Sequence, residues 1–444
     1  MASRSSSPTT AERDAKAPAV AFVTLGCPKN EADSDRMAGL LAQSFRIATE
    51  IDEADVLVLN TCAFIQSAVE EAIDEVLAAI EWRAARPGRR LVVAGCLPSR
   101  YGEDLAAELP EVDAFVPVAE EESIVSVVSD LVAVSASRAA AGPDVRAVPL
   151  PTAYLKVSDG CDRRCAYCTI PAIRGPHRSR SRSEVLAEAR MLIEAGVKEI
   201  VLVGQDVTRW GSDLSGRPSF AQLVSDVASL DGDYRVRLMY LQPDGVTHEL
   251  LRAIAEHPRV CRYLDVPVQH ASRTVLRAMG RGGDARSLLA LVERIREALP
   301  DATLRTTVML GFPGETRRDV EELHRFLRAA RFDYVGVFAF SPEEGTAAAS
   351  LPGQVPLRTR RARAQRTRDL ADEIGTSMAA RWLGRGVRVL VEGEEEGLTV
   401  GRTCAQAPEI DGVTLFPQKA PRGTFVTVSV TETHGYDLFG EADE

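Results

Sequence analysis

No run in this chain approaches the 18 or more consecutive apolar residues of a membrane-spanning helix. The N-terminus, Met1-Ala2-Ser3-Arg4 followed by Ser, Pro and Thr, lacks the apolar segment of a signal peptide, and residues 1–17 read as a disordered polar tail. A cytoplasmic location is therefore expected, with no membrane partner. Thiols are kept reduced there, so clustered cysteines point to metal before disulfides. A surplus of positive charge is also missing. The formal net charge is −11, unfavourable for gripping a phosphate backbone over a broad surface and better suited to a basic partner. With 444 residues, 45% of them hydrophobic, the chain can build two or three cored domains.

What the chain does have is a dense cysteine loop, Ser158-Asp159-Gly160-Cys161-Asp162-Arg163-Arg164-Cys165-Ala166-Tyr167-Cys168. A [4Fe–4S] cube takes four thiolates, so three in a C-x3-C-x2-C spacing leave one iron open for a cofactor. A zinc knuckle would need a fourth Cys or His at ligand spacing, and His177 lies nine positions past Cys168, beyond a proline and an Arg-Gly-Pro turn. Zinc and a disulfide stay open as lesser readings.

Before the loop, three apolar runs each end directly before a cysteine: 19–25 before Gly26-Cys27, 54–61 before Cys62, and 90–95 before Cys96. Val- and Leu-rich runs separated by helix-like stretches, such as 67–85, predict an open parallel α/β sheet over residues 18–135. In such sheets ligands sit at the carboxyl ends of the strands. Cys27, Cys62 and Cys96 are thus expected to form a second three-cysteine cluster site. Ordinary buried cysteines are the alternative. An Ala, Ser, Gly and Pro-rich stretch at 136–150 reads as a linker.

Residues 151–380 repeat strand then helix. Strands are expected at 153–158, 199–204, 235–241, 263–268, 304–310 and 335–340, with helices such as 183–195, 273–279 and 318–330. Six βα units predict a partial TIM-type (βα)6 barrel with its chemistry at the C-terminal strand ends, where the cysteine loop indeed falls. Other strand ends carry Gly204-Gln205-Asp206, Gln269-His270 and Gly311-Phe312-Pro313-Gly314-Glu315-Thr316. Gln205 or Glu315 could bond an amine, carboxylate or ribose hydroxyl, and Gly311 could admit a ligand closely; the glycine-rich string is equally a simple turn. A basic helical segment at 357–388, with Arg358, Arg360, Arg361, Arg363, Arg366 and Arg368, reads as a solvated face before it reads as an RNA footprint. Residues 381–444 alternate short β runs with glycine turns, as in a small OB-like β-barrel. From Gly386 onward 11 acidic residues stand against 4 basic ones, which should repel RNA and attract a basic protein.

The cysteine loop, with an aromatic before its third cysteine, resembles the signature of the radical S-adenosylmethionine (SAM) superfamily. From about Val20 to Gly440 the chain resembles the methylthiotransferases within it. Gly26-Cys27-Pro28-Lys29-Asn30, Asn60-Thr61-Cys62-Ala63-Phe64-Ile65, Ile170-Pro171-Ala172-Ile173-Arg174-Gly175, Val337–Thr346 and Ala407–Gly412 are more similar to the branch that modifies an aspartate of ribosomal protein S12 than to the tRNA-modifying branch. Tyr240-Leu241-Gln242-Pro243, where the family usually shows Tyr-Pro, departs from the pattern. The resemblance implies two [4Fe–4S] clusters, one on Cys161, Cys165 and Cys168 that binds SAM, and an auxiliary one on Cys27, Cys62 and Cys96, followed at the C-terminus by a TRAM domain. It implies SAM contacts from Tyr167, Gln205, Gly311 and Glu315, and a methylthio group placed on the β-carbon of the S12 aspartate, with S12 met free or in the small subunit. An electron donor such as flavodoxin or ferredoxin is implied as a further partner. Tyr167 is alternatively a core aromatic, and Cys261 and Cys404 read as structural. The competing readings are a tRNA adenosine methylthiotransferase and a non-catalytic iron–sulfur protein of the ribosome.

Overall fold

The computed structural model describes residues 18–133 and 151–443. The expected tail at 1–17 and linker at 136–150 lie outside the described residues. The described residues divide into two compact units, 18–133 with Ala172–Gly175, and 151–171 with 176–443.

In the first unit, β1 (Ala19–Thr24), β2 (Arg46–Ile47), β3 (Val56–Thr61), β4 (Arg90–Gly95) and β5 (Ala114–Pro117) form one parallel sheet in the order β2-β1-β3-β4-β5. The three expected strands are central. The edges β2 and β5 are too short to show as apolar runs. Alternate side chains bury on opposite faces. Leu57, Leu59, Leu91 and Val93 pack with Val69, Ala72 and Val76 of the helix Gln66–Ala84. Val56, Val58, Val92 and Ala94 pack with Met37, Leu41, Ile124 and Val128. Helices on both faces explain the unbroken hydrophobic strands, each fully buried Val or Leu contributing about 1.5–3 kcal/mol.

In the second unit, β6 (Thr152–Lys156) leads to a two-stranded hairpin, β7 (Ser158–Asp159) with β8 (Arg178–Ser179), whose connection carries the cysteine loop. Then come β9 (Glu199–Val203), β10 (Arg235–Leu238), β11 (Tyr263–Asp265), β12 (Thr303–Leu310) and β13 (Tyr334–Ala339). The sheets β6-β9-β10 and β11-β12-β13 are parallel, and Cys261 N–H to Val236 O (2.8 Å) and Leu241 N–H to Asp265 O (2.9 Å) join them into the expected six-stranded partial barrel. Its helices start where the sequence signals it: Ser181 and Glu184 form a capping box on Arg182–Glu194, as Thr316 and Asp319 do on Arg317–Ala330.

The basic helix ends at Ala379, and the arginines divide by face. Arg360 donates to Val355 O and Phe340 O, Arg363 to Glu315, and Arg368 to Val337 O, while Arg358, Arg361 and Arg366 are exposed. The solvated-face reading therefore holds for half of them.

The closed C-terminal barrel is β14 (Gly386–Glu395), β15 (Leu398–Arg402), β16 (Thr414–Phe416), β17 (Phe425–His434) and β18 (Asp437–Ala442), in the order β14-β15-β16-β18-β17. It seals against the N-terminal ends of the large barrel's strands, where Arg235 and Arg237 donate to the carbonyls of Arg402, Thr403 and Cys404, and Tyr263 to Asp411. The strand ends that carry the cysteine loop are at the opposite side.

Candidate functional site

The first unit brings Cys27, Cys62 and Cys96 together at the carboxyl ends of β1, β3 and β4, as the strand register demands: Thr24 pairs with Asn60, and Thr61 with Gly95. Two glycines permit the convergence. Gly26 has φ +94°, and a Cβ there would lie 2.4 Å from Cys62 Cβ. Gly95 has φ +92°, and a Cβ there would lie 2.1 Å from Asn60 Oδ1. Cys27 occupies the N-cap position of the helix Pro28–Leu41 and Cys96 opens the helix Cys96–Glu108, so both emerge at helix N-termini.

Asn30 is the hub of this site. Fully buried, it donates to Leu25 O and Thr61 O, while its Oδ1 accepts from Arg174 at 2.8 Å and stands 3.9 Å from Cys27 Sγ and 3.8 Å from Cys96 Sγ. Arg174 Nη2 reaches Cys96 Sγ at 3.6 Å and pairs with buried Asp33 at 2.9 Å. Burial pushes the Cys96 thiol up to about 12 and the Cys62 thiol up as well, and each is raised further by its neighbouring cysteines. Three mutually repelling thiolates in a desolvated spot suit a cationic core that displaces their protons.

The second trio lies in the hairpin connection of the other unit. Backbone bonds strap it down on both sides: Ala166 N–H to Met279 O (2.9 Å), Ala348 N–H to Ala166 O (2.8 Å) and Cys168 N–H to Cys165 O (3.1 Å). Arg163 N–H donates to Cys161 Sγ at 3.4 Å, and its guanidinium is clamped between buried Asp206 (2.5 Å) and Asp244 (2.8 Å). Arg281 Nη1 stands 3.9 Å from Cys165 Sγ. Burial raises the Cys161 thiol and pushes that of Cys168 up to about 12. His177 bonds Ser179 through Nε2 at 3.1 Å. Among the described residues no three His, Cys, Asp or Glu side chains are grouped to hold a single metal ion. A cubane asks for no such grouping, because each thiolate takes a different iron.

Just past the carboxyl ends of β6, β9, β10 and β11, four polar side chains carry buried atoms without a hydrogen bond: Ser158 Oγ, both amide atoms of Gln205, Gln242 Oε1 and His270 Nε2. His270 Nδ1 accepts from Ala271 N–H and Ser272 N–H, so Nε2 carries the ring proton, and it stands 3.6 Å from Oε2 of buried Glu315, beyond hydrogen-bond reach. Orphaned buried polar atoms cost about 1–3 kcal/mol each, and a polar ligand satisfies them. Tyr240 (φ +62°) and Gln269 (φ +67°) beside them hold a left-handed backbone that costs a non-glycine residue about 1–3 kcal/mol.

Of the other expected ligand contacts, Tyr167 packs against a small cluster that includes Met279, Phe312 and Phe340, with its hydroxyl toward Cys165. Gly311 and Glu315 are engaged with the protein itself. A Cβ on Gly311 would strike the Arg360 side chain, and the Glu315 carboxylate accepts from Gly311 N–H and Arg363, both at 2.8 Å. The sequence alone does not single out Asn30, Arg174, Arg281, Ser158 or Gln242 as site residues, although Asn30 closes one family-like string and Arg174 lies within another.

Three family models match the chain: the radical SAM superfamily at residues 155–327, the uncharacterized protein family UPF0004 at 19–117, and the TRAM domain at 383–442. The ribosomal protein uS12 methylthiotransferase RimO of Desulforudis audaxviator is 44% identical, covering 96% of this chain and 97% of that protein. That of Thermotoga maritima is 41% identical over 95% and 99%. Among solved structures, the radical SAM methyltransferase TsrM from Kitasatospora setae aligns with a TM-score of 0.55 at 13% identity, over 86% of this chain and 77% of that one. The cobalamin-dependent radical SAM enzyme OxsB aligns at 0.53 and 14% identity, over 81% and 56%. At such identities these two share the fold alone.

Proposed function

The chain belongs to the RimO family of ribosomal protein uS12 methylthiotransferases, and on that premise we propose how its own residues carry out the reaction. It is a radical SAM enzyme that uses two [4Fe–4S] clusters and SAM to place a methylthio group on an aspartate of ribosomal protein S12. Cys161, Cys165 and Cys168 would hold the SAM-binding cluster, and Cys27, Cys62 and Cys96 the auxiliary one. When bound, the clusters and SAM supply the one-electron chemistry that opens an unactivated C–H bond and the sulfur that is methylated and delivered.

The protein's part is position and exclusion of water. Ser158, Gln205, Gln242 and His270 offer buried donors and acceptors to the polar groups of SAM, and Tyr167 offers an apolar face. The Asp206–Arg163–Asp244 clamp fixes the cysteine loop, while Glu315 and Gly311 hold their turn against the basic helix. The observation that carries the assignment is the pair of strand-end cysteine trios, one in each unit. The test is the intact mass of purified S12 after anaerobic incubation with reconstituted enzyme, SAM, sulfide and a strong reductant. A gain of one methylthio group on aspartate is the expected result. The same group on tRNA adenosine would overturn the substrate, and absence of SAM cleavage would overturn the enzyme.

S12 is met in the cytoplasm, and the C-terminal barrel is the part that suits it. Glu394, Glu395, Glu396, Glu409, Glu432 and Glu441 are exposed there, while half of the basic helix's arginines are spent inside the protein. Reversing Glu394, Glu395 and Glu396 to lysine is expected to raise the KM for S12 roughly tenfold at low salt with kcat unchanged, the effect fading as salt is added. A salt-independent change would remove the electrostatic role.

Arg174→Met is expected to strip the site of Cys27, Cys62 and Cys96. It leaves the buried Asp33 carboxylate without its guanidinium, a loss of about 3–5 kcal/mol, and removes the donor to Cys96. Iron content and the melting temperature, measured with Cys161, Cys165 and Cys168 replaced by alanine, should both fall; unchanged iron would refute the role.

A further inference from the structure

A group of arginines lies beside Cys165, which with Cys168 is one of the two partly exposed thiols of the SAM-side trio. Cys165 is half-buried, and Arg164 beside it is exposed. The helix Arg273–Ala278 and the turn after it are fastened to this loop. Ala166 N–H donates to Met279 O, and a Cβ on Gly280 would lie 2.6 Å from Arg164 O. The same segment sends Arg281 to Cys165 Sγ. It also presents Arg273 and Arg277 along an open groove of about 450 Å³, and Arg286 is exposed one turn further on.

The charges here are unbalanced. Arg273 pairs with Asp284, Asp244 is held by Arg163 while also feeling Arg281, and Asp162 accepts from His177 N–H. Among the described residues, Arg164, Arg277 and Arg286 carry no ion pair. On a chain of net charge −11 this patch runs against the trend of the surface. An acidic macromolecule meets a locally positive face here and, unlike at the exposed Arg358, Arg361 and Arg366 of the basic helix, meets it beside a cluster ligand. A nucleic acid would ask for a longer basic track. A small ligand is better served by the buried orphan atoms of Ser158, Gln205, Gln242 and His270 than by exposed guanidiniums.

We propose that Arg164, Arg277 and Arg286, with the groove of Arg273 and Arg281, form the docking surface for an acidic one-electron carrier protein that reduces the cluster held by Cys161, Cys165 and Cys168. This rests on the assignment of that cluster given above. One electron leaves the carrier, which is oxidised, and enters the cluster, which is reduced; no bond forms or breaks and no proton moves. Docking at this face places the donor next to the Cys165 sulfur, through which the electron enters.

The test uses full-length, cluster-loaded enzyme and the double charge reversal Arg277→Glu with Arg286→Glu, neither residue touching a cysteine. Reduced flavodoxin serves as the acidic carrier and dithionite as the small reductant. The variant is expected to form 5′-deoxyadenosine from SAM at the unaltered rate with dithionite. With flavodoxin at low salt it should be slower by on the order of 10- to 100-fold, the gap closing as salt rises. Flavodoxin affinity, read by titration without turnover, should fall in parallel, and Arg277→Lys with Arg286→Lys should restore it. Equal rates and affinities with flavodoxin would overturn the docking surface, as would an equal loss with both reductants, or a loss of affinity for ribosomal RNA in place of flavodoxin. Failure of the unaltered enzyme to cleave SAM with dithionite would overturn the cluster assignment itself, and this proposal with it.

Discussion

Replacing Cys165 with serine is expected to lower reductive SAM cleavage by ~10³-fold or more, whereas Cys62→Ser is expected to leave cleavage within about threefold and to abolish methylthio transfer. A serine hydroxyl stays protonated at neutral pH and is a hard ligand, so it replaces a soft thiolate on iron poorly. The two losses should separate because the trios belong to different units with separate cores. Cys96, the electrostatic neighbour of Cys62, sits among Leu59, Ala63 and Leu97 in the first, and Cys165 lies in the loop strapped to Met279 and Ala348 in the second. Formation of 5′-deoxyadenosine and the mass of S12, followed in the same reaction, read the two steps. Cleavage retained by Cys165→Ser, or lost with Cys62→Ser, would contradict the assignment of the trios.

The convergence of Cys27, Cys62 and Cys96 was legible in the sequence because strand ends are. A Val- and Leu-rich run that stops at a cysteine fixes both the element and the edge on which the thiol emerges, and β1, β3 and β4 put all three at one end of the sheet. The six barrel strands were legible for the same reason, with bounds within a few residues. Harder to read were elements whose signal is not local. β2, β5 and β18 are edge or closing strands whose place is set by the neighbour they pair with. The buried polar machinery was hidden for a related cause. Nothing adjacent in sequence says that Arg174 will lie within 3.6 Å of Cys96, 78 positions away, or that Arg360 and Arg363 of a basic helix will turn inward to a carbonyl and to Glu315. Tyr167 shows the opposite limit. Its place beside the cysteines was plain, but its packing against Phe312 and Phe340 depends on loops 145 and more residues downstream.

Glu199→Gln is expected to destabilise the second unit by about 3–5 kcal/mol, because it leaves three buried guanidiniums around a neutral amide. Glu199 opens β9 with no exposure. Its Oε2 accepts from Arg235 at 2.7 Å and lies 3.0 Å from Arg402, and its Oε1 accepts from Arg237 at 2.5 Å. Arg235 and Arg237 stand two apart on β10 and so share a face, while Arg402 comes from β15 of the small barrel and also binds Glu392 at 2.6 Å and Thr152 at 2.8 Å. One carboxylate thus ties the two barrels together. At roughly 2–4 °C per kcal/mol the loss is on the order of 10 °C in melting temperature. Burial by itself would raise the Glu199 carboxyl, but the three arginines outweigh it and hold the group well below its ordinary value of 4.5. A carboxyl depressed in the folded state stabilises fully above its unfolded value, and that contribution fades as pH falls from the unfolded value down through the folded one. The gap between the unaltered chain and Glu199→Gln should therefore stay constant from about pH 8 down to about pH 5 and begin to narrow only below about 4.5. Calorimetric scans across that range decide it: a gap that shrinks already between pH 7 and 5, or one under about 1 kcal/mol at pH 7, would mean that Glu199 is not what holds the arginines and the two barrels together.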